Sequence, residues 1–272
     1  MSLTVTEDGY CVDDGCVCHD IDGVTCCQRC HRNGPIPATI IPPETYVSLE
    51  ELAARVIASR TEHGELLQQY HALWYGCGHT WPMTSFLGVG LMKAPNDLWT
   101  YQHIVADHRP KIIIETGTYK GGSALWFAYL QDMCGIEDGI VVTVDVDDHL
   151  AVNHERIVPI HGSSIAAATE AKVWAHAAGR WPRLISLDSD HAHAHVLREL
   201  ELYAPLARVG DWLVVEDTNV AWSTDRGARG SVEDYLTAHP GEFVQDVLSE
   251  RYLLTMNPGG WLQRVKECRC GA

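Results

Sequence analysis

No basic run or stripe occurs in this sequence. Twenty lysines and arginines stand against 36 aspartates and glutamates, a formal net charge of −16, so the electrostatic footprint of phosphate-backbone binding is missing and nucleic acid is not expected as a partner. Nor is there an uninterrupted apolar run of bilayer length. Between Leu66 and Met92 no formal charge occurs, but Gln68, Gln69, His71, His79 and several glycines break the stretch. That disqualifies it as a membrane span and suits a packed, partly irregular segment near a pocket. The first residues, MSLTVTEDGY, have neither a basic n-region nor an apolar h-region, and a cytoplasmic location is the expectation. Internal repeats are absent. So is a Walker A loop, since no Gly-Lys-Ser/Thr occurs, and a dinucleotide fingerprint fails because Tyr119 takes its middle glycine position; NAD is disfavoured.

What the chain does have is enough apolar residue to bury a sizeable core, 46% of 272 positions. One large α/β domain with an appendage fits that length better than two full domains. Cysteine is lopsided: Cys11, Cys16, Cys18, Cys26, Cys27 and Cys30 lie in the first thirty residues, and Cys268 and Cys270 lie at the other end. In a reducing compartment a dense Cys/His cluster is more often a metal site than a disulfide framework. The CxxC at 27–30, the two CxC pairs and nearby His19 and His31 make these eight cysteines candidates for structural Zn²⁺, although the spacings fit no zinc-finger pattern well. The competing reading is a reduced, cysteine-rich tail.

Residues 1–34 therefore read as a Cys-rich module. The proline-rich GPIPATIIPPE introduces a segment 35–109 of linker and helical lid or substrate-binding character, with a helix from Ser48, a plausible N-cap followed by Glu51. From Pro110 strands alternate with helices. The runs KIIIET (111–116), IVVTVDV (140–146), a short strand near 157–160, RLISLD (183–188) and DWLVVED (211–217) are separated by helices at GGSALWFAYLQDM, around 166–178 and around 195–206. Continuous apolar runs of this kind are buried on both faces, so 110–267 reads as a doubly wound, Rossmann-like α/β domain whose ligands bind at the carboxyl ends of parallel strands.

The loop ETGTYKGGS (115–123) joins the first of these strands to its helix. Gly117 permits close backbone approach, and Gly121 and Gly122 open the helix. An acidic residue followed by Gly-x-x-x-Gly suits an amino-acid-bearing nucleoside: Glu115 would meet an ammonium, Asp145 at the end of the second strand would accept from ribose hydroxyls, and Thr118, Tyr119, Gly121 and Ser123 would cradle the ligand.

The motifs APNDLWTYQHIV, IIIETGTYKGGSAL, VTVDVDD, IHGSS, ISLDSDHAHAHVLREL, VVEDTN and MNPGGWLQR, in this order and spacing over roughly 70–265, resemble the cephalosporin-hydroxylase-like and rhamnosyl O-methyltransferase family. The resemblance implies a methyltransferase fold, S-adenosylmethionine and a divalent metal as cofactors, and contacts to the former from Glu115, Gly117, Asp145, Ser164 and Asp188. It does not extend to the Cys-rich ends. The segment after VVEDTN lacks the Gly-Pro-rich character of the family.

Asp188 ends the fourth strand of the domain, and Glu216 and Asp217 end the fifth. Three clustered carboxylates repel one another unless a cation joins them, and hard oxygen ligands with room for water favour Mg²⁺. The same constellation resembles the metal site of catechol-type and sugar O-methyltransferases. His191 follows Asp188 by three residues and is the candidate catalytic base, with Asp188 beside it; His195 shares its helix face, and His193 reads as exposed. A zinc site of His191 and His195 lacks a third soft ligand. The function expected is methyl transfer to a hydroxyl of a sugar or polyhydroxylated natural product, by a homo-oligomer. A zinc-stabilised nucleoside-binding adaptor and an oxygenase are the alternatives. Trp81, Trp222, Arg226 and Arg229 are candidate substrate contacts.

Overall fold

The computed structural model describes the backbone of residues 10–13, 16–21 and 24–26, and residues 48–220 and 226–266 in full. The chain divides into two compact units, Met1–Ser48 and Leu49–Ala272. The first contains three short antiparallel strands, β1 (Tyr10–Asp13), β2 (Cys16–Ile21) and β3 (Val24–Cys26). Their register sets Cys11 opposite Cys18 and His19 opposite Cys26. Cys27, Cys30, Cys268 and Cys270 lie outside the described residues, as do the side chains of Cys11, Cys16, Cys18 and Cys26.

The second unit begins with α1 (Leu49–Glu62), starting directly after Ser48, and α2 (Gly64–Gly76). A hairpin of β4 (Ser85–Phe86) and β5 (Val89–Gly90) follows, its turn residues Leu87 and Gly88 both at positive φ, as a two-residue turn matched to strand twist requires. Pro95 opens α3 (Pro95–His108) in the first turn, where a missing N–H costs nothing, and Arg109 in the left-handed region closes it.

Then comes the alternation: β6 (Ile112–Thr116), α4 (Gly122–Met133), β7 (Ile140–Asp145), β8 (Ile157–His161), α5 (Ala167–Ala177), β9 (Arg183–Leu187), α6 (His193–Tyr203), β10 (Trp212–Val215) and α7 (Gly227–Ala238), ending with β11 (Phe243–Gln245) and β12 (Trp261–Arg264). These strands form one seven-stranded sheet in the order β11-β12-β10-β9-β6-β7-β8. It is parallel from β10 to β8, while β12 runs antiparallel to both β10 and β11. The order reverses between β6 and β9, and ligands of open α/β sheets bind at such a point.

Period-two alternation splits the apolar strand residues between two cores. Ile112, Ile114, Val142, Val144, Ile185, Leu187 and Val215 face α5, α6 and α7 through Val173, Val196, Leu200 and Val232. Ile113, Val141, Leu184 and Val214 face α3 and α4 through Tyr101, Val105, Phe127 and Ala128. With both faces covered, β6 is fully buried. Among the described residues, no helix is long and apolar enough to cross a membrane.

Candidate active site

A cavity of about 520 Å³ opens at the carboxyl ends of β6, β7, β9 and β10. Of the residues singled out from sequence, Gly117, Thr118, Tyr119, Ser123, Asp145, Ser164, Asp188, His191 and Asp217 line it. Glu115, Gly121 and Glu216 do not.

The loop between β6 and α4 is shaped by what crowds it. Gly117 has φ +88°, and a Cβ there would lie 1.9 Å from the Asp188 carbonyl oxygen, so only glycine fits. Asp145 organises the loop from the next strand: its Oδ2 accepts from the Thr118 and Tyr119 N–H groups at 2.8 and 2.9 Å, and its Oδ1 from Asp147 N–H at 3.0 Å. The carboxylate expected to be free for ribose is thus also a loop anchor, with spare lone-pair capacity on Oδ1. Gly121, the N-cap of α4 at φ +87°, turns the chain into the helix where a Cβ would meet Leu150 and Val152, and it does not line the cavity.

Glu115, expected to meet an ammonium, does not itself line the cavity. It lies beneath the cavity floor, fully buried, with Oε2 accepting from Thr143 Oγ1 at 2.8 Å and Oε1 without a hydrogen-bond partner. Burial pushes its pKa up to about 7, although Lys93 pulls against that. A buried carboxylate oxygen lacking its donor fits a site whose ligand brings an ammonium group. Ser164 sits on the far wall, where its Oγ is 3.0 Å from His195 Nε2, which also meets Ser189 Oγ at 3.1 Å.

Across the floor, parallel pairing continues past the strand ends: Asp188 N–H donates to Thr116 O and Glu216 N–H to Leu187 O, both at 3.0 Å. This brings Asp188, His191 and Asp217 together, with a ligand atom from each within 4.8 Å of the others. His191 stands between the acids, Nε2 3.4 Å from Asp188 Oδ1 and Nδ1 3.4 Å from Asp217 Oδ2. Burial pushes its pKa down, but Asp188, Asp217 and Glu216 outweigh burial and carry it up to about 9. Burial and the neighbouring Asp188 push Asp217 up to about 6. Asp217 also has φ +53°, a strained conformation for a non-glycine residue, and its N–H donates to Asn257 Oδ1 at 2.9 Å. The two carboxylates, as hard oxygen donors at this separation, suit a divalent cation that keeps several waters, the habit of Mg²⁺.

Glu216 departs from the expected triad of acids. Its Oε1 is turned inward, accepting from Lys93 Nζ at 2.5 Å, Tyr101 OH at 2.6 Å and Ser186 Oγ at 2.7 Å. Adjacent positions at a strand end point to opposite sides, so Asp217 faces the cavity and Glu216 the layer below.

Sequence reasoning missed that layer. Asp97 and Tyr101 lie four residues apart on one face of α3, Lys93 lies two residues ahead of that helix, and all three are buried with Glu216. It missed Tyr75 as well, whose OH lies 3.2 Å from Asp217 Oδ1 and 3.3 Å from Asn219 Oδ1. Trp81 lines the cavity as expected. Arg226 and Arg229 instead pair with Glu233, and Arg226 with Asp234, on the exposed side of α7. His193, expected exposed, is half-buried against Asp234 at 2.9 Å, because α6 starts there rather than at 195. Trp222 lies outside the described residues.

The model of the rhamnosyl O-methyltransferase/CmcI family matches residues 79–265 of this chain. The rhamnosyl O-methyltransferase of Mycobacterium tuberculosis is 32% identical over 210 residues, 72% of this chain and 84% of that protein. The enzyme of the same name from Mycobacterium leprae is 33% identical, over 73% of this chain and 90% of its own. Among solved structures, the apo form of CmcI superposes with TM-score 0.56 at 26% identity, covering 67% of this chain and 76% of that one. CmcI in its Mg–SAM form gives 0.57 at 25% identity, covering 68% and 78%.

Proposed function

The chain belongs to the rhamnosyl O-methyltransferase/CmcI family and is an S-adenosylmethionine-dependent O-methyltransferase, and from that premise we propose that it methylates a hydroxyl of a sugar or glycosylated natural product with the help of Mg²⁺. The observation that carries the proposal is the opposition, across one cavity, of the loop fixed by Gly117 and Asp145 to the Asp188, His191 and Asp217 group.

When bound, S-adenosylmethionine supplies the methyl group, and Mg²⁺ supplies positive charge that acidifies the acceptor hydroxyl. Gly117, Thr118, Tyr119, Ser123, Asp145 and Ser164 would hold the nucleoside and amino-acid parts, with the bare Glu115 Oε1 under them. Asp188 and Asp217 would hold the cation. His191, raised on the loop before α6, is placed to take the hydroxyl proton at a ring nitrogen. The acids that keep it protonated are the same groups whose charge a cation offsets, which returns the imidazole toward its ordinary range. Tyr75 and Trp81 form the wall on the acceptor side and help exclude water. In this reading Glu216 supports the floor.

The direct test incubates the protein with S-adenosylmethionine and a panel of free and glycoside-linked sugars, and analyses products by mass spectrometry. A gain of one methyl group on a sugar hydroxyl is the expected result; methylation of nitrogen or carbon acceptors alone would contradict it. Within the same proposal, the spacing of the six cysteines between Cys11 and Cys30 is the ground for a structural zinc site in the first unit. The exposed Leu66 and Leu73 of α2 support self-association, which light scattering would read. Free thiols at Cys77 and Cys134 suit a cytoplasmic setting.

A further inference from the structure

The least expected group in the molecule is Lys93. Its ammonium lies under the acidic cluster with the side chain 1% exposed, 2.7 Å from Asp188 Oδ2 and 2.5 Å from Glu216 Oε1. The Tyr101 ring centroid is 5.9 Å from Nζ. An ammonium taken out of water is costly unless it is paired and hydrogen-bonded, and here both anionic partners also belong to the cluster. Asp188 is shared: Oδ2 is held from below by Lys93, while Oδ1 faces His191 and the cavity. Lys93 does not line the cavity, so it is not placed to touch an acceptor or to exchange protons with one.

We propose that Lys93 is a positioning residue and the resident counter-ion of the carboxylate cluster: it fixes Asp188 and Glu216 when no divalent cation is bound, and by sharing Asp188 it holds down the site's affinity for that cation. The inference rests on the reading of Asp188 and Asp217 as Mg²⁺ ligands. Once the neighbouring His191 is neutral, three carboxylates against one buried ammonium leave two net negative charges, matched to one divalent ion. Without Lys93 the same acids carry three, and their repulsion is unrelieved until a cation enters.

Three opposite behaviours follow for K93Q. In EDTA its melting temperature should fall by roughly 10 °C, the scale of breaking a buried ion pair in a protein of this size. Saturating Mg²⁺ should restore most of that loss. Its Mg²⁺ dissociation constant, measured calorimetrically in the presence of S-adenosylhomocysteine, should be at least about tenfold lower than that of the wild type, because a charge repelling the ion has gone. The double variant K93Q/E216Q removes the ammonium together with one anion and should melt in EDTA within a few degrees of the wild type, even where K93Q cannot be purified folded.

A residue that merely fills space would destabilise without tightening metal binding. Mg²⁺ binding by K93Q that is no tighter than in the wild type overturns the proposal, and so does a double variant that melts as low as K93Q or fails to fold. A wild type that shows neither Mg²⁺ heat nor an Mg²⁺-dependent melting shift would overturn the metal reading itself, and the Lys93 proposal with it. Binding by the wild type with no change in K93Q overturns Lys93 alone.

Discussion

His191 sits 3.4 Å from each of two carboxylates, and that placement makes its charge a reporter of the site. In metal-free protein its pKa is about 9, above the ordinary 6.5. The stability it contributes is therefore complete below about pH 6.5 and is lost as the pH rises through 9. NMR titration of the imidazole should give that value in EDTA and a lower one once Mg²⁺ is added; a pKa that ignores Mg²⁺ would place the cation elsewhere. H191A should slow methyl transfer by about 10²–10⁴, typical for a lost general base, while S-adenosylhomocysteine binding is kept. The Asp188–His191 spacing made this pair legible from sequence. The inward turn of Glu216 was not, because two adjacent acids at a strand end look alike until the strand's facing is known.

Among the elements, the β6–α4 loop and the start of α3 do most to shape the floor. G117A should abolish cofactor binding and cost stability, since its Cβ would meet backbone at Asp188 rather than a movable side chain; calorimetry with S-adenosylhomocysteine and a melting curve read both. On α3, Asp97 Oδ2 accepts from Met256 N–H at 2.9 Å while Oδ1 has no partner, and burial pushes its pKa up to about 7 from 3.8. The unfolded chain releases this proton first, so stability should decline as the pH rises from about 4 to 7. D97N keeps an acceptor for Met256 and should flatten that decline in urea midpoints; an unchanged slope would show that Asp97 ionises freely in the fold. The strands were readable because short, continuous apolar runs such as Ile112–Ile114, alternating with helical patterns, suit parallel strands buried on both faces. Lys93, ahead of α3, and Asp97 and Tyr101 on it escaped notice because such polar residues usually mark a solvated face, and only the sheet beneath them reverses that meaning.

For the molecule as a whole, the parallel direction of β6, β7, β8, β9 and β10 follows from the alternation seen in sequence, though their order in the sheet does not, and neither do β11 and β12. These are three and four residues long, and their antiparallel pairing, β12 on β10 and β11 on β12, depends on long-range contacts that no local pattern encodes. Among the described residues, those lining the cavity run from Tyr75 to Met256, within the second unit. Deleting residues 1–47 should therefore leave S-adenosylhomocysteine affinity unchanged within about threefold, well under the tenfold that 1.4 kcal/mol represents. Metal analysis of the full chain purified without added zinc should find about one Zn²⁺, from the six cysteines of the first unit and four ligands per ion; a zinc-free, protease-resistant first unit would remove the zinc proposal.

The account stands on a cation held between Asp188 and Asp217 during methyl transfer. Its most direct test is the rate of methyl transfer from S-adenosylmethionine to a hydroxylated sugar acceptor, in protein stripped with EDTA and dialysed, before and after Mg²⁺ is restored, with D188N and D217N alongside. The predicted result is no transfer from the stripped wild type, recovery on adding Mg²⁺, and little recovery in either variant at the same Mg²⁺ concentration. Full activity in the stripped wild type would contradict it.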